Sequence, residues 1–131
     1  MVVLKNGAYP PLVSNYKNSV EIIAAGPAEF LSLVKYAKFL VTGSYHALMF
    51  SLLFHSHFYI YLDNASAQNS RLISTLKMFG LEKQLYYETS SLPKEMPHVD
   101  YSTVDTILKE EREKSLNLLR ESIVSKLVEL N

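Results

Sequence analysis

The chain has 131 residues, which is the length of one domain. Thirteen basic and thirteen acidic side chains cancel, so the net charge gives no indication of a nucleic-acid partner or of an acidic substrate. The 48% apolar content excludes a disordered chain, and the absence of cysteine excludes disulfides and cysteine nucleophiles. A chain without cysteine fits a reducing compartment, so we expect a cytoplasmic location, with peripheral membrane contact as an open alternative.

Short strands and helices alternate along the chain. Residues 1–18 predict a short strand and a loop, residues 19–100 a strand–helix core, and residues 101–131 one long helix. The predicted strands are Val2–Leu4, Val20–Ala24, Phe39–Val41, Phe58–Leu62 and Tyr86–Tyr87. The predicted helices are Pro27–Tyr36, Tyr45–Phe54, one from Ser70 to a stop at Gly80, and a last helix capped by a box at Ser102–Asp105. This order predicts a single α/β domain, a Rossmann-like parallel sheet flanked by helices on both faces.

Residues 39–62 carry no formal charge over a length that could span a bilayer. They contain polar clusters at Thr42–Ser44 and His55–His57, which a lipid-exposed helix would have to bury. We therefore predict a strand, a helix and a strand here, and no transmembrane segment. Because the middle helix is apolar almost all round, we expect it to be central and covered.

The turn after the strand Phe39–Val41 is the first candidate site. Ligands of open parallel sheets bind at the carboxyl ends of the strands, where helix N-termini present amides. Gly43 and Ser44 open the next helix, and His46 lies in its first turn. These groups could hold an anion and pass a proton. Alternatively, Ser44 simply caps the helix and His46 hydrogen-bonds a buried carbonyl.

Two further sets of residues could carry chemistry. Arg71 begins its helix, where a cation opposes the helix dipole, so it indicates either an anionic ligand or a plain surface arginine. His55 and His57 have metal-ligand spacing, but no cysteine and no nearby carboxylate completes a ligand set, so we predict no metal. The charge run Lys109–Lys114 indicates a solvated helix face.

Several segments of the chain are similar to one protein family. They are Gly26–Leu33, Ala37–His46, Phe50–Phe54, Ser70–Leu76, Gly80–Glu82 and Lys114–Leu119. In this order and spacing the chain resembles the C-terminal half of the polysaccharide pyruvyl transferase family over about residues 19–120. The chain has Ala47 where the family usually has glycine and His57 where it usually has proline.

The resemblance implies transfer of pyruvate from phosphoenolpyruvate to two sugar hydroxyls as a ketal, in exopolysaccharide or capsule biosynthesis in bacteria. It implies one lobe of a fold similar to B-type glycosyltransferases, with phosphoenolpyruvate as co-substrate, a glycan acceptor and no cofactor. It also implies His46 as the catalytic residue, and Ser44, Arg71, Gly43 and Tyr45 as substrate-binding residues. The family's N-terminal lobe is not found in this sequence, so we expect the chain alone to be inactive and to pair with that lobe or with itself.

Two other functions fit the same residues. A B-type glycosyltransferase lobe would bind a nucleotide sugar in the same crevice. A non-catalytic interaction module would pair through the C-terminal helix, and exposed side chains at Leu116, Leu119, Ile123 and Leu127 would favour it.

Overall fold

The computed structural model describes residues 2–4, 20–22, 25–62, 69–87 and 97–129, with backbone alone over 2–4, 20–22 and 127–129. The strands are β1 (Val2–Leu4), β2 (Val20–Ile22), β3 (Leu40–Thr42), β4 (Phe58–Leu62) and β5 (Leu85–Tyr87). The helices are α1 (Pro27–Tyr36), α2 (Tyr45–Phe54), α3 (Asn69–Met78) and α4 (Tyr101–Glu129), with a short 3₁₀ helix at Glu82–Gln84. The predicted loop before residue 19 lies outside the described residues. The sequence also predicts a polar loop over 63–69 and a linker over 89–98; of these, the structure describes only Asn69, which begins α3, and residues 97–98.

Parallel strands pair in two sets. Strands β3, β4 and β5 form a three-stranded sheet in that order, and β1 pairs with β2. Helix α2 connects β3 to β4, and α3 lies between β4 and β5 in the chain. The predicted α/β fold with a parallel sheet and flanking helices is therefore confirmed, and residues 39–62 form a strand, a helix and a strand. The sequence also predicts helices on both faces of the sheet, but α2, α3 and α4 pack on the same face of the three-stranded sheet, as right-handed crossovers in the order β3-β4-β5 require for α2 and α3. Within the described ranges, no helix is both long enough and apolar enough to cross a bilayer.

One face of the three-stranded sheet forms the core. Alternate residues of β4, namely Phe58, Ile60 and Leu62, point to this face because side chains alternate along a strand. The helices cover them with the buried side chains Leu48, Leu52, Leu72, Leu76 and Val104, joined by Phe79, Leu81 and Val99. Burial of this apolar cluster is the main stabilising contribution to the domain.

Helix α2 lies between the sheet and α1. Its residues Leu48 and Leu52 face the core, while Phe50 meets Phe30 of α1 edge to face, with ring centroids 6.2 Å apart. The helix is therefore covered, as predicted, on the side that faces the core and on the side that faces α1. Leu53, however, is 56% exposed, so the helix is not covered all round.

The opposite face of the sheet carries a row of aromatic rings. Tyr59 meets Phe39 and Tyr86 edge to face, at centroid distances of 6.1 Å and 4.9 Å. Burial and the neighbouring Tyr86 hydroxyl raise the pKa of Tyr59. Phe39 and Val41 remain about half exposed, which leaves the β3 edge of this face open.

Two helices end in a residue with left-handed backbone conformation. The sequence predicts such a residue at Gly80 but not at His55. Gly80 has φ +66°, and the amide of Leu81 donates to the Leu76 carbonyl, which confirms the predicted stop of α3. His55 ends α2 with φ 55°, an unusual conformation for a residue with a Cβ atom.

The start of α4 differs from the prediction. Ser102 does not cap this helix, because Asp100 does. The Asp100 carboxylate accepts the Ser102 amide at 3.0 Å, the Ser102 hydroxyl at 2.6 Å and the Thr103 hydroxyl at 2.7 Å. A charged acceptor binds these donors more strongly than a hydroxyl, so the aspartate takes the capping position.

Candidate functional site

The turn between β3 and α2 is held by its own side chains. The Ser44 amide donates to the Thr42 hydroxyl oxygen at 3.0 Å, and the Ser44 hydroxyl oxygen accepts the Ala47 amide at 3.4 Å. The predicted capping role of Ser44 is therefore present in the structure. Its hydroxyl hydrogen stays available for a ligand, because capping uses only the oxygen lone pair. Sequence reasoning did not assign a role to Thr42, although a threonine two residues before a cap is a local signal.

Gly43 occupies a place that has little room for a side chain. A Cβ atom at this position would lie 3.0 Å from the carbonyl oxygen of Tyr61, at the carboxyl end of β4. The close approach of this turn to the neighbouring strand explains the glycine in structural terms. The same closeness brings the start of α2 near the end of β4.

His46 lies in the first turn of α2, and its side chain is exposed. Its ring meets Tyr45 edge to face, with centroids 6.3 Å apart. The amides of Tyr45 and His46 precede the first hydrogen bond within the helix, which runs from the Leu48 amide to the Ser44 carbonyl. An exposed imidazole beside helix-terminal amides can receive an anion and exchange a proton with it.

Arg71 lies in the first turn of α3, and its guanidinium carbon is 5.2 Å from the centroid of the Tyr45 ring. This cation–π contact joins the N-termini of α2 and α3. The structure thus places Arg71 against the residue that lies between Ser44 and His46. All of these residues follow the carboxyl ends of β3 and β4, where a ligand of a parallel sheet binds.

The two histidines of the H-x-H pair lie at the other end of α2. His55 Nε2 is 2.9 Å from Asp105 Oδ1 of α4, and its ring stacks on Tyr101 at a centroid distance of 4.5 Å. The Tyr101 hydroxyl donates to the carbonyl of Ser56. Asp105 is 50 positions away in the sequence, so no local pattern could have revealed this pair. The described residues contain no group of three or more histidine, aspartate or glutamate side chains that could hold a metal ion.

A shallow cavity of about 490 Å³ lies at the amino end of the same sheet. It is lined by Lys38, Phe39, His57, Pro97 and His98. Lys38 and Phe39 precede β3, and His57 precedes β4, so this cavity is at the opposite end of the strands from Ser44, His46 and Arg71. It is not the crevice that the sequence predicts.

Comparison with known families bears directly on the β3–α2 turn. The model of the polysaccharide pyruvyl transferase family matches residues 4–64. This match confirms the family resemblance. It covers just under half of the chain and includes Gly43, Ser44, Tyr45 and His46. No curated protein and no solved structure gives a significant match.

The polysaccharide pyruvyl transferase match supports a general function as a transferase of polysaccharide biosynthesis. It begins before residue 19, where the predicted resemblance began, and ends before Arg71. The resemblance over residues 65–120, and the role assigned to Arg71, therefore stay predictions.

Proposed function

We propose that this chain is one lobe of a polysaccharide pyruvyl transferase, which transfers pyruvate from phosphoenolpyruvate to two hydroxyls of a sugar or glycan. The observation that carries the proposal is the family match over residues 4–64, which includes the turn with the exposed His46. Arg71 supports it, because its contact with Tyr45 places a guanidinium beside that turn.

The chemistry of ketal formation suits these groups. Two sugar hydroxyls form bonds to the carbon that bears the phosphate, and the bond from that carbon to the phosphate oxygen breaks. One hydroxyl proton reaches the methylene carbon, which becomes the methyl group of the ketal, and the other leaves with phosphate. We assign proton transfer to His46, since a histidine can donate and accept protons near neutral pH.

The substrate-binding roles follow from charge and hydrogen bonding. Phosphoenolpyruvate carries a phosphate and a carboxylate, and a guanidinium can bind either one with two parallel hydrogen bonds. We assign this role to Arg71, and we assign the phosphate contacts of the turn to Ser44 and the amides of Tyr45 and His46. The reaction consumes phosphoenolpyruvate as a co-substrate and, in this proposal, uses no cofactor.

The proposal includes a cytoplasmic location. The chain has no cysteine, and its phosphorylated co-substrate is charged and does not cross a bilayer unaided. The family match and the chemistry of the turn are compatible with such a location.

Ligand-induced stabilisation tests the proposed function. A ligand that binds only the folded state raises the melting temperature. At a ligand concentration of about 100 times the Kd, the free energy of unfolding rises by ~2.7 kcal/mol. We expect phosphoenolpyruvate to stabilise the wild type, and the His46→Ala and Arg71→Ala variants to lose this stabilisation. His57→Ala is the matched control, because His57 is also exposed but precedes β4 at the opposite end of the sheet. Stabilisation by a nucleotide sugar instead would assign the chain to the B-type glycosyltransferases.

One structural observation favours the alternative of an interaction module. Leu116, Leu119 and Ile123 of α4 are 41%, 56% and 52% exposed, as that alternative requires. The side chain of Leu127 lies outside the described residues. Such a surface is compatible with the transferase lobe as well, since an enzyme can carry a docking helix.

A further inference from the structure

The C-terminal half of α4 carries an apolar stripe formed by Leu116, Leu119 and Ile123. Every side chain from Arg112 to Lys126 is exposed. The first half of α4 is different, because Val104 is fully buried and Ile107 and Leu108 pack against the core. In the sequence, Leu127 takes the next position of the same spacing. A helical segment gains most of its stability when its apolar face packs against another surface. We therefore expect another molecule to cover this stripe.

Basic side chains border this stripe along its whole length. Residues three, four or seven positions apart lie on the same face of a helix. Arg112 is four positions before Leu116, Arg120 is four positions after it, and Lys126 is three positions after Ile123. Lys109 extends the row one turn towards the N-terminus. We use the name basic stripe for the whole face, which consists of these four cations and the three apolar residues Leu116, Leu119 and Ile123.

The carboxylates of the same segment lie mostly elsewhere on the helix. Glu121 is two positions from both Leu119 and Ile123, which places it on the opposite side. Glu110 and Glu111 also fall outside the basic stripe, and Glu111 is engaged by the Lys114 ammonium at 2.6 Å. Residues 109–129 contain five cations and five carboxylates. Glu113 is the one carboxylate on the face of the stripe, three positions before Leu116 and next to it and Arg120. That face therefore carries four cations and one carboxylate.

We propose that the basic stripe of α4 lies on a membrane surface that contains anionic lipids. Leu116, Leu119 and Ile123 would enter the boundary between head groups and acyl chains, and the bordering cations would meet lipid phosphates. The carboxylates of the far face would remain in water. They would lie about one helix diameter, ~10 Å, from the lipid, which is close to the Debye length at physiological salt.

A second copy of the chain is a less favourable occupant. A two-fold pair of α4 helices would bring two basic stripes together at one interface. Eight cations would then share the interface with two carboxylates, the Glu113 of each copy, and an excess of like charges at an interface is costly. An anionic surface matches both the apolar and the charged part of the stripe.

Sedimentation with vesicles tests this proposal. We expect the chain to sediment with vesicles of phosphatidylcholine and phosphatidylglycerol and to remain in solution with phosphatidylcholine alone. Arg120→Glu should weaken binding about tenfold or more, since each basic residue near an anionic surface contributes ~1 kcal/mol and the substitution also adds a repulsive charge. Lys114→Glu is the matched control, because it makes the same charge change on the opposite face and should bind as the wild type does.

The apolar part of the stripe is tested by the double variant Leu119→Ser and Ile123→Ser. It should also lose vesicle binding while the melting temperature of the domain is retained, because neither side chain belongs to the core. Equal losses for Arg120→Glu and Lys114→Glu, or no sedimentation of the wild type with either vesicle, would overturn the proposal. So would a dimer in light scattering that the serine variant abolishes, since that result would assign the stripe to a second copy.

Discussion

Asp100 determines how α4 begins, and its hydrogen bonds at this cap perturb the titration of its own carboxylate. Hydrogen bonds from the Ser102 and Thr103 hydroxyls lower the pKa of Asp100 from 3.8 to about 2. These donors favour the charged form, because only the carboxylate accepts all of them at once. The residue therefore links the stability of the helix start to pH.

The first prediction concerns this pH dependence. Since the pKa of Asp100 is lower in the folded state, its stabilisation is present above pH 3.8 and is lost as the pH falls towards 2. In urea unfolding, we expect wild type to exceed Asp100→Asn in stability by a constant margin above that pH and by a shrinking margin below it. The other carboxylates contribute the same pH dependence to both proteins, so their contributions cancel in this difference. A margin independent of pH would contradict the prediction.

Gly43 shows how a single residue is restricted by a neighbouring strand. In Gly43→Ala the new methyl group would lie 3.0 Å from the Tyr61 carbonyl oxygen, so the turn or the strand must shift. We expect a loss of about 1 kcal/mol in the free energy of unfolding, the low end of the range for overpacking. A lower urea midpoint with an unchanged slope would show it. An unchanged midpoint would mean that the turn yields without cost.

At the scale of elements, α2 supplies a matched pair of neighbouring leucines. Leu52 is fully buried in the core, whereas Leu53 is 56% exposed. We expect Leu52→Ala to lower the free energy of unfolding by about 2–5 kcal/mol, through lost apolar contact and a residual cavity. Leu53→Ala should change it by less than about 0.5 kcal/mol. Similar losses for both variants would contradict the described orientation of α2.

Helices α2 and α4 are joined at one end by side chains that neither helix could position alone. Tyr101 stacks on His55 and donates to the Ser56 carbonyl, and Asp105 pairs with His55. The His55 and Asp105 side chains are about half exposed, so their ion pair contributes little to stability. Partial burial of Tyr101, which raises its pKa to about 12, marks the stronger anchor. The anchor holds the start of α4 at the end of α2 that lies away from His46.

At the scale of the whole molecule, the described part of the chain offers the candidate site few cationic groups for its proposed substrate. The chain contains three arginines, and two of them, Arg112 and Arg120, belong to the exposed half of α4. Arg71 alone among the arginines contacts the turn residues of the site. A reaction in a cleft draws on groups from both walls, which also exclude water.

We therefore expect the 131 residues by themselves to give no turnover. The purified chain would be incubated with phosphoenolpyruvate and with galactose- or mannose-containing acceptors, and released phosphate would be measured. Phosphate release that is absent from His46→Ala would show that one lobe suffices and that this prediction is wrong. Binding of phosphoenolpyruvate without turnover agrees with both this prediction and the proposed function.

Sequence patterns were sufficient for the order and type of the elements. Strands and helices follow from local periodicity, and glycine or serine at their ends marks turns, as at Gly80 and Ser44. The parallel sheet follows from the alternation of these elements. The β3–α2 turn could be singled out because its candidate groups are contiguous in the chain, and the family match includes them.

Contacts between distant segments were decided only by the tertiary structure. The pairing of His55 with Asp105 and the position of Arg71 over Tyr45 both depend on how elements meet in space. The cap by Asp100 is different, because its partners are two and three positions away and a local pattern could have indicated it. The same is true of α4, whose spacing of apolar residues runs through both halves while only the first half is covered. Periodicity specifies which face of a helix is apolar, but coverage depends on how far the neighbouring elements extend.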